Sequence, residues 1–296
     1  MNESISFFGG GNMASAIAGG MQAANRLPQT LRLVDPDPRV REVWAERYGA
    51  TCIATVDAPA CESDYWVLAV KPQQMKDLCQ AIACFQGSDG GAALSPGART
   101  HGVISVAAGV RIARLAQWLG HSHRYIRCMP NTPALIGRGV TALYADEHLP
   151  EHDKAIAQRI IDCVGKSLWL SNEDAMDAVT AVSGSGPAYV FRMIEAMQDA
   201  ALSLGLNSEA SRILVLETLR GASELAAQST LTPAQLREQV TSKGGTTAAA
   251  LEVFEAEDYG GLIAALEVFE AEDYGGLILR ALTRAAARSA ELASLD

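Results

Sequence analysis

Six cysteines, at positions 52, 61, 79, 84, 128 and 163, form no C-x-x-C pair. That spacing excludes the common zinc ligand sets and the disulfide frame of a small secreted domain. The five histidines are dispersed, and His121-x-His123 has neither thiol nor carboxylate beside it, so no structural metal is expected. No apolar run reaches the ~20 residues that span a bilayer. Positive charge is also scarce: 24 Lys and Arg stand against 34 Asp and Glu, a net charge of −10. With that balance no basic face dominates the field, which argues against nucleic acid or an anionic membrane as a partner. The first residues pass directly into an apolar strand, without a charged leader and cleavage site. The expected setting is therefore soluble, reduced and cytoplasmic. Apolar residues are plentiful, 49% of 296, enough for two ordinary cores.

The chain is organised around Asp177 to Phe191, DAVTAVSGSGPAYVF. An apolar run ends in Ser183-Gly184-Ser185-Gly186, and Pro187 then opens a long apolar helix. Small residues before a proline at the first helical position leave backbone N–H groups bare, an end that attracts an anion or a carbonyl-like group. Segments before this point alternate between strand and helix patterns, whereas those after it read as helices only.

In the first half, Ser4 to Phe8 is a short strand followed at once by Gly9-Gly10-Gly11-Asn12-Met13-Ala14. Gly9, Gly11 and Ala14 occupy the G-x-G-x-x-G/A positions: a tight turn, close approach to a pyrophosphate, and helix-on-strand packing. The apolar helix Met13 to Ala24 supplies the context that makes this a dinucleotide-binding reading. A second strand, Leu31 to Val34, ends at Asp35. That acid could accept hydrogen bonds from an adenosine ribose, or it could cap the helix beginning near Pro36 or Pro38. Arg39 and Arg41 lie close enough to favour a 2′-phosphate instead. Tyr65 to Val70 reads as a central parallel strand and ends at Lys71-Pro72, at the carboxyl edge where open α/β sheets bind ligands. Gly102 to Val106 runs into Ala107-Ala108-Gly109, whose small side chains leave room for a flat ring. Met129-Pro130-Asn131-Thr132-Pro133 is a rigid loop at the same edge. Cys128 has no histidine in its motif and reads as a buried thiol. The polar stretch Gly87 to Thr100 is a loop without an assigned role. Gly139 to Ala145, a helix from Pro150 to Val164 and Ser167 to Leu170 complete this half.

Helices are expected over 172–182, 187–204, 208–228 and 233–240. Val240 to Thr247, VTSKGGTT, then opens another apolar helix. Two glycines and two threonines at a helix start give free N–H groups with hydroxyls beside them, a geometry suited to a carboxylate. Ala249 to Ile263 is repeated without change as Ala264 to Ile278. One tandem copy is not a solenoid, which needs several units. As continuous helix it would add about 22 Å, and Gly260-Gly261 and Gly275-Gly276 oppose that, so a break is expected near each Glu-Asp-Tyr-Gly-Gly.

The segments FFGGGNMASAI (7–17), VLAVKPQQM (67–75), ISVAAGV (104–110), RCMPNTPALIGRG (127–139), DAVTAVSGSGPAYVF (177–191) and TSKGGTT (241–247) together resemble the pyrroline-5-carboxylate reductase family over nearly the whole chain. The resemblance implies an α/β fold: a Rossmann-like, mostly parallel sheet domain, residues 1–165, followed by an all-helical substrate and dimerisation domain, residues 166–296. It implies cofactor contacts at Gly9, Gly10, Gly11, Asn12 and Met13, at Ala69, Val70, Lys71 and Pro72, and at Val106, Ala107 and Ala108, with Asp35 at the ribose. Substrate contacts are implied at Glu173, Ser242, Gly244, Gly245, Thr246 and Thr247. The reaction implied is hydride transfer from NADP, or alternatively NAD, in its reduced form to the C=N carbon of 1-pyrroline-5-carboxylate, giving proline. Thr247 is then the hydroxyl on the ring nitrogen, and the 243–247 N–H groups hold the carboxylate. The resemblance also implies a homodimer through the C-terminal helices, or a higher ring of dimers. Three departures from the family stand out: Lys243 replaces a usual proline, Val56-Asp57 lies where asparagine is common, and the duplicated fifteen residues fall just after Thr247, inside the helices the family uses to dimerise. A related architecture, that of β-hydroxyacid dehydrogenases, uses a mid-helix lysine; Lys166 and Lys243, the only lysines from 166 onward, do not fit that role.

Overall fold

A computed structural model describes residues 3–85, 100–256 and 274–293. Most of the expected loop 87–100, and the stretch 257–273 spanning both copies of the repeat, lie outside them. The expected break in the first copy therefore lies outside the described residues. In the second copy, Gly275 and Gly276 lie in the first turn of the helix Tyr274–Ala293.

Eight strands form one sheet in the order β3-β2-β1-β4-β5-β6-β7-β8: β1 (Ile5–Phe8), β2 (Leu31–Val34), β3 (Thr51–Ile53), β4 (Tyr65–Leu68), β5 (Gly102–Ser105), β6 (Arg124–Met129), β7 (Gly139–Tyr144) and β8 (Gly165–Trp169). All neighbours are parallel except β6 and β7, so the last two strands run against the rest. The central strands are four residues long and buried on both faces, as their unbroken apolar runs require. Period-2 alternation divides them: Ile5, Phe7, Val67 and Ile104 enter one core, Phe8, Trp66, Leu68 and Val103 the other.

Helices α1 (Asn12–Ala23) and α2 (Pro38–Tyr48) pack on the first of these cores. Trp44, fully buried, donates its indole N–H to Gly10 O at 3.3 Å and to Ser15 Oγ at 3.2 Å. It fixes α2 to the turn that opens α1. On the other face lie α3 (Ala58–Cys61), α4 (Met75–Phe85) and α5 (Ile112–Leu119). Helix α6 (Glu151–Ile161) follows β7, and α7 (Ala175–Val179) continues into a wider π-helical turn, Thr180–Gly184.

The chain divides into two compact units, Met1–Pro187 and Ala188–Asp296. The expected boundary at 165/166 cuts the first residue from β8, a strand paired with β7 from Gly139↔Gly165 to Leu143↔Trp169. Ladder bonding thus keeps Gly165–Trp169 with the sheet. In the second unit, α8 (Gly186–Ser203) is followed by α9 (Ser208–Gln228), capped by Asn207, and α10 (Pro233–Gln239), opened by a Thr232–Gln235 capping box. Helix α11 (Thr246–Ala256) packs against Tyr274–Ala293. The core there is small: Ala196 and Ile278, with Met193, Met197, Phe254 and Leu282 around them. Along the 21 residues of α9 only Ser211 and Val215 are buried, while Ile213, Leu214 and Leu225 are more than half exposed.

Candidate active site

Three of the expected cofactor segments meet at the carboxyl ends of adjacent strands. Gly9 N donates to Val34 O at 2.9 Å, Ala69 N to Phe8 O at 2.8 Å and Val106 N to Leu68 O at 3.1 Å. These bonds carry the ladder one residue past β1, β4 and β5, and so align Gly9–Met13, Ala69–Pro72 and Val106–Ala108 along one edge. Gly9 sits at φ +93°, and a Cβ there would stand 2.9 Å from Ala69 O; only glycine makes this turn without strain. Gly11 is the N-cap of α1, and nothing lies within 4 Å of the place a Cβ would occupy. The first-turn N–H groups of α1 lack intrahelical acceptors by geometry. They open onto a cleft of about 420 Å³ whose walls include Gly11, Asn12, Asp37, Arg39, Val40 and Val43. An open helix N-terminus beside a cleft of this size fits a dinucleotide's pyrophosphate and ribose. Lys71 is exposed and precedes the 3₁₀ turn Pro72–Gln74, while Ala107 is buried and Val106 and Ala108 are half-buried.

Asp35 is not the helix cap that one of its sequence readings made it. Its Oδ2 accepts from Gly10 N at 2.7 Å and its Oδ1 from Asp37 N at 2.9 Å. The helix cap is Asp37, whose Oδ1 accepts from Arg39 N at 2.9 Å. Hydrogen bonds from Arg39, chiefly its side chain, hold the Asp37 carboxyl down at about 2. Arg41 is tied to main chain, its Nη1 donating to Asp35 O and Pro36 O at 2.7 and 2.8 Å.

Glu173 lies in the sheet unit. Its Oε1 accepts from Ile112 N at 2.9 Å, at the start of α5, and from Arg127 Nη1 at 3.2 Å. Arg127 is 2% exposed, so this carboxylate balances a buried guanidinium. Arg111 pairs with Asp174 at 2.7 Å and Asp177 at 3.8 Å, tying the same turn to the residue before α7 and to α7 itself. Asn131 accepts from Val140 N at 2.9 Å and donates to Ser183 O at 3.2 Å, which joins the Pro130–Pro133 loop to the Ser183–Gly186 turn. Cys128 is fully buried, and burial pushes its thiol well above the ordinary range. It is inert as a nucleophile.

The turn Ser242–Thr247 belongs to the second unit. Gly244 takes φ +70°, Gly245 N donates to Ser242 O at 3.0 Å, and Ala249 N returns to Gly245 O at 3.2 Å. This places the N–H groups of Thr246, Thr247 and Ala248 in the unsatisfied first turn of α11, with Thr246 and Thr247 half-buried.

Asp37, Trp44 and Arg111 had no role in the sequence reading. Only the Asp-Pro pair at 37–38 carried a local signal, as a cap followed by a first-turn proline.

The sheet order and the glycine turn at its carboxyl edge define a Rossmann-type dinucleotide-dependent oxidoreductase. Consistent with this, residues 4–109 match the family model described as NADP oxidoreductase, coenzyme F420-dependent. Residues 173–264 match the model for pyrroline-5-carboxylate reductase dimerisation. A pyrroline-5-carboxylate reductase of Pseudomonas aeruginosa is 40% identical over 289 residues, 98% of this chain and 96% of that one. The chain belongs to the pyrroline-5-carboxylate reductase family. A solved structure of a pyrroline-5-carboxylate reductase from Coxiella burnetii aligns with TM-score 0.79 and 33% identity, covering 97% of this chain and 99% of that one. The Plasmodium falciparum pyrroline carboxylate reductase, solved with NADP bound, aligns with TM-score 0.75 and 26% identity over 97% and 98% of the two chains.

Proposed function

We propose that this protein reduces 1-pyrroline-5-carboxylate to L-proline by hydride transfer from NADPH, with NADH as an alternative donor, the last step of proline biosynthesis. The observation that carries the reading is the presence in one family-length chain of two glycine-led helix starts, one after the glycine turn of the sheet unit, open onto its cleft, and one after Ser242–Gly245 in the helical unit. The first suits a pyrophosphate and the second a carboxylate.

The residues holding the cofactor are Gly9 to Met13, Ala69 to Pro72 and Val106 to Ala108. Bound nicotinamide supplies the hydride. Backbone N–H groups of the 243–247 turn other than that of Gly245, which is bonded to Ser242 O, hold the substrate carboxylate, and the Thr247 hydroxyl hydrogen-bonds the ring nitrogen. As hydride adds to the C=N carbon, the π electron pair moves to a nitrogen that carries a proton, so no strong base is needed. Orientation and charge balance are the protein's contribution. Self-association is a property of the family's helical domain, and a homodimer, which a ring of dimers would extend, is part of this reading. The exposed apolar side chains of α9 support it. The cytoplasm as location is part of the same reading.

The test is oxidation of NADPH, and separately NADH, followed by absorbance with pyrroline-5-carboxylate present. Substrate-dependent oxidation is expected, and its absence with both donors refutes the proposal. Thr247→Ala should lower kcat at least about tenfold while the Kd for NADPH stays within about twofold. Unchanged turnover removes Thr247 from the mechanism.

A further inference from the structure

Asn131 is 8% exposed, and both ends of its side-chain amide are bonded to main chain. Its Oδ1 accepts from Val140 N in β7 at 2.9 Å, and its Nδ2 donates to Ser183 O in the π-helical turn at 3.2 Å. The sheet register places these bonds. Strands β5 and β6 run parallel up to Ser105↔Arg127, so Ala107 comes level with Met129 at the edge where small side chains leave room for the nicotinamide ring. Met129 is half-buried with its methyl against the turn: a Cβ added to Gly184 would overlap Met129 Cε. The Ser183 hydroxyl is buried and has no partner among the described residues, so its carbonyl, held by Asn131, is the group that ties Ser183 to this loop. We infer that Asn131 is a positioning residue for hydride transfer: it holds the turn against Met129, and Met129 bounds the space in which the reacting ring lies. This rests on the reductase reading above and adds to it a residue that touches neither ligand.

The need for such a residue follows from the reaction. Hydride transfer requires the two carbons to approach to about 3–3.5 Å, and a misplacement near 1 Å costs on the order of a hundredfold in rate. A methionine side chain is flexible and adapts to its surroundings, so as a wall it needs backing. Gly184 gives that backing with bare main chain, which works only while the turn keeps its height above Met129. The π-helical turn departs from the regular helical ladder, and Asn131 pins it from outside. A neutral amide suits the task because it joins main-chain groups of opposite polarity, an N–H on one side and a C=O on the other. A carboxylate, which only accepts, makes the first bond and opposes the second.

The experiment is single-turnover oxidation of NADPH, and of NADPH deuterated at the transferred position, by the full-length protein with pyrroline-5-carboxylate. Asn131→Asp keeps the acceptor for Val140 N and removes the donor to Ser183 O. It should slow hydride transfer at least about tenfold and raise the deuterium isotope effect on kcat, because transfer becomes the slowest step. The Kd for NADPH and the KM for pyrroline-5-carboxylate should stay within about twofold. Gly184→Ala leaves Asn131 in place and displaces only the flexible end of Met129; it should give the same split, and it carries the test if Asn131→Asp does not fold. A structural brace with no part in positioning would lower the urea midpoint and leave the transfer rate and isotope effect as in the wild type. That result, or a weakening of NADPH binding in place of the rate, overturns the assignment while leaving the reductase reading intact. A wild type that does not oxidise NADPH overturns that reading and this one with it.

Discussion

Removing the Glu173 side chain separates its two readings, as a ligand contact and as an internal brace. Glu173→Ala deletes the acceptor for Ile112 N at 2.9 Å and the partner of Arg127 at 3.2 Å. Arg127 is 2% exposed, so the variant leaves a buried guanidinium unbalanced. Breaking a buried pair by deleting one member costs about 3–5 kcal/mol. Glu173 is itself 16% exposed, which admits water to the gap and favours the lower end, about 3 kcal/mol. Glu173→Gln retains a neutral acceptor for Ile112 N and should lose roughly half as much. All four tryptophans, Trp44, Trp66, Trp118 and Trp169, lie in the sheet unit, so their fluorescence in urea reports that unit's unfolding. With a slope of about 2 kcal/mol/M, the midpoint should fall by about 1.5 M in Glu173→Ala. A midpoint matching wild type, together with a raised KM for pyrroline-5-carboxylate, would refute the brace and restore Glu173 as a substrate contact.

Two further perturbations address the turn and the core. Gly9→Ala forces a Cβ onto a φ of +93° and to within 2.9 Å of Ala69 O; the expected loss is about 2–4 kcal/mol of stability and at least about tenfold in NADPH affinity, so wild-type fluorescence titration would refute the turn geometry. His123 is buried beside His101 and Arg124, and burial first, then those two charges, push it from 6.5 down to about 4. The folded state holds it neutral, so its contribution is complete above pH 6.5 and is lost as pH falls towards 4, amounting to roughly 3 kcal/mol. Urea midpoints should decline over that window, and His123→Gln should flatten the decline; parallel slopes in the two proteins would contradict the assignment.

The strand–turn–helix at 4–24 was legible because every signal in it is local: an apolar run, glycines at fixed offsets and helical periodicity. The same holds for the helix starts at Pro187 and after Gly245, whose first-turn chemistry is written within a few residues. Asp35 was not legible for the opposite reason. Its partner Gly10 lies 25 residues earlier, and Pro36 and Pro38 make both acids plausible caps by pattern alone. Glu173 finds Ile112 and Arg127 at separations of 61 and 46 residues, which no window on the sequence spans. The reversal of β7 against β6 was likewise hidden, since strands buried on both faces look alike in either direction. In α9, periodicity marks an amphipathic helix, but the exposure of Ile213 and Leu214 emerges only once the packing of the chain is known.

The two acids that the sequence offered to ligands share one arrangement, and the net charge explains why it is useful. A chain of charge −10 that binds a pyrophosphate and a carboxylate must keep its own carboxylates from opposing them. At about 6 Å and an effective dielectric near 40, one uncompensated carboxylate raises the energy of a bound unit charge by roughly 1.4 kcal/mol, a factor of ten in affinity. Asp35 is compensated by two backbone N–H groups, Glu173 by Arg127 and the Ile112 N–H, and Asp37 by Arg39. Arg111 does the same for Asp174. At the second turn no such compensation is needed, because Ser242 to Thr247 contains no acid and includes Lys243. Internal pairing of acids thus leaves the backbone donors of α1 and α11 as the unopposed features of their surroundings, and those donors are what an anion meets on arrival.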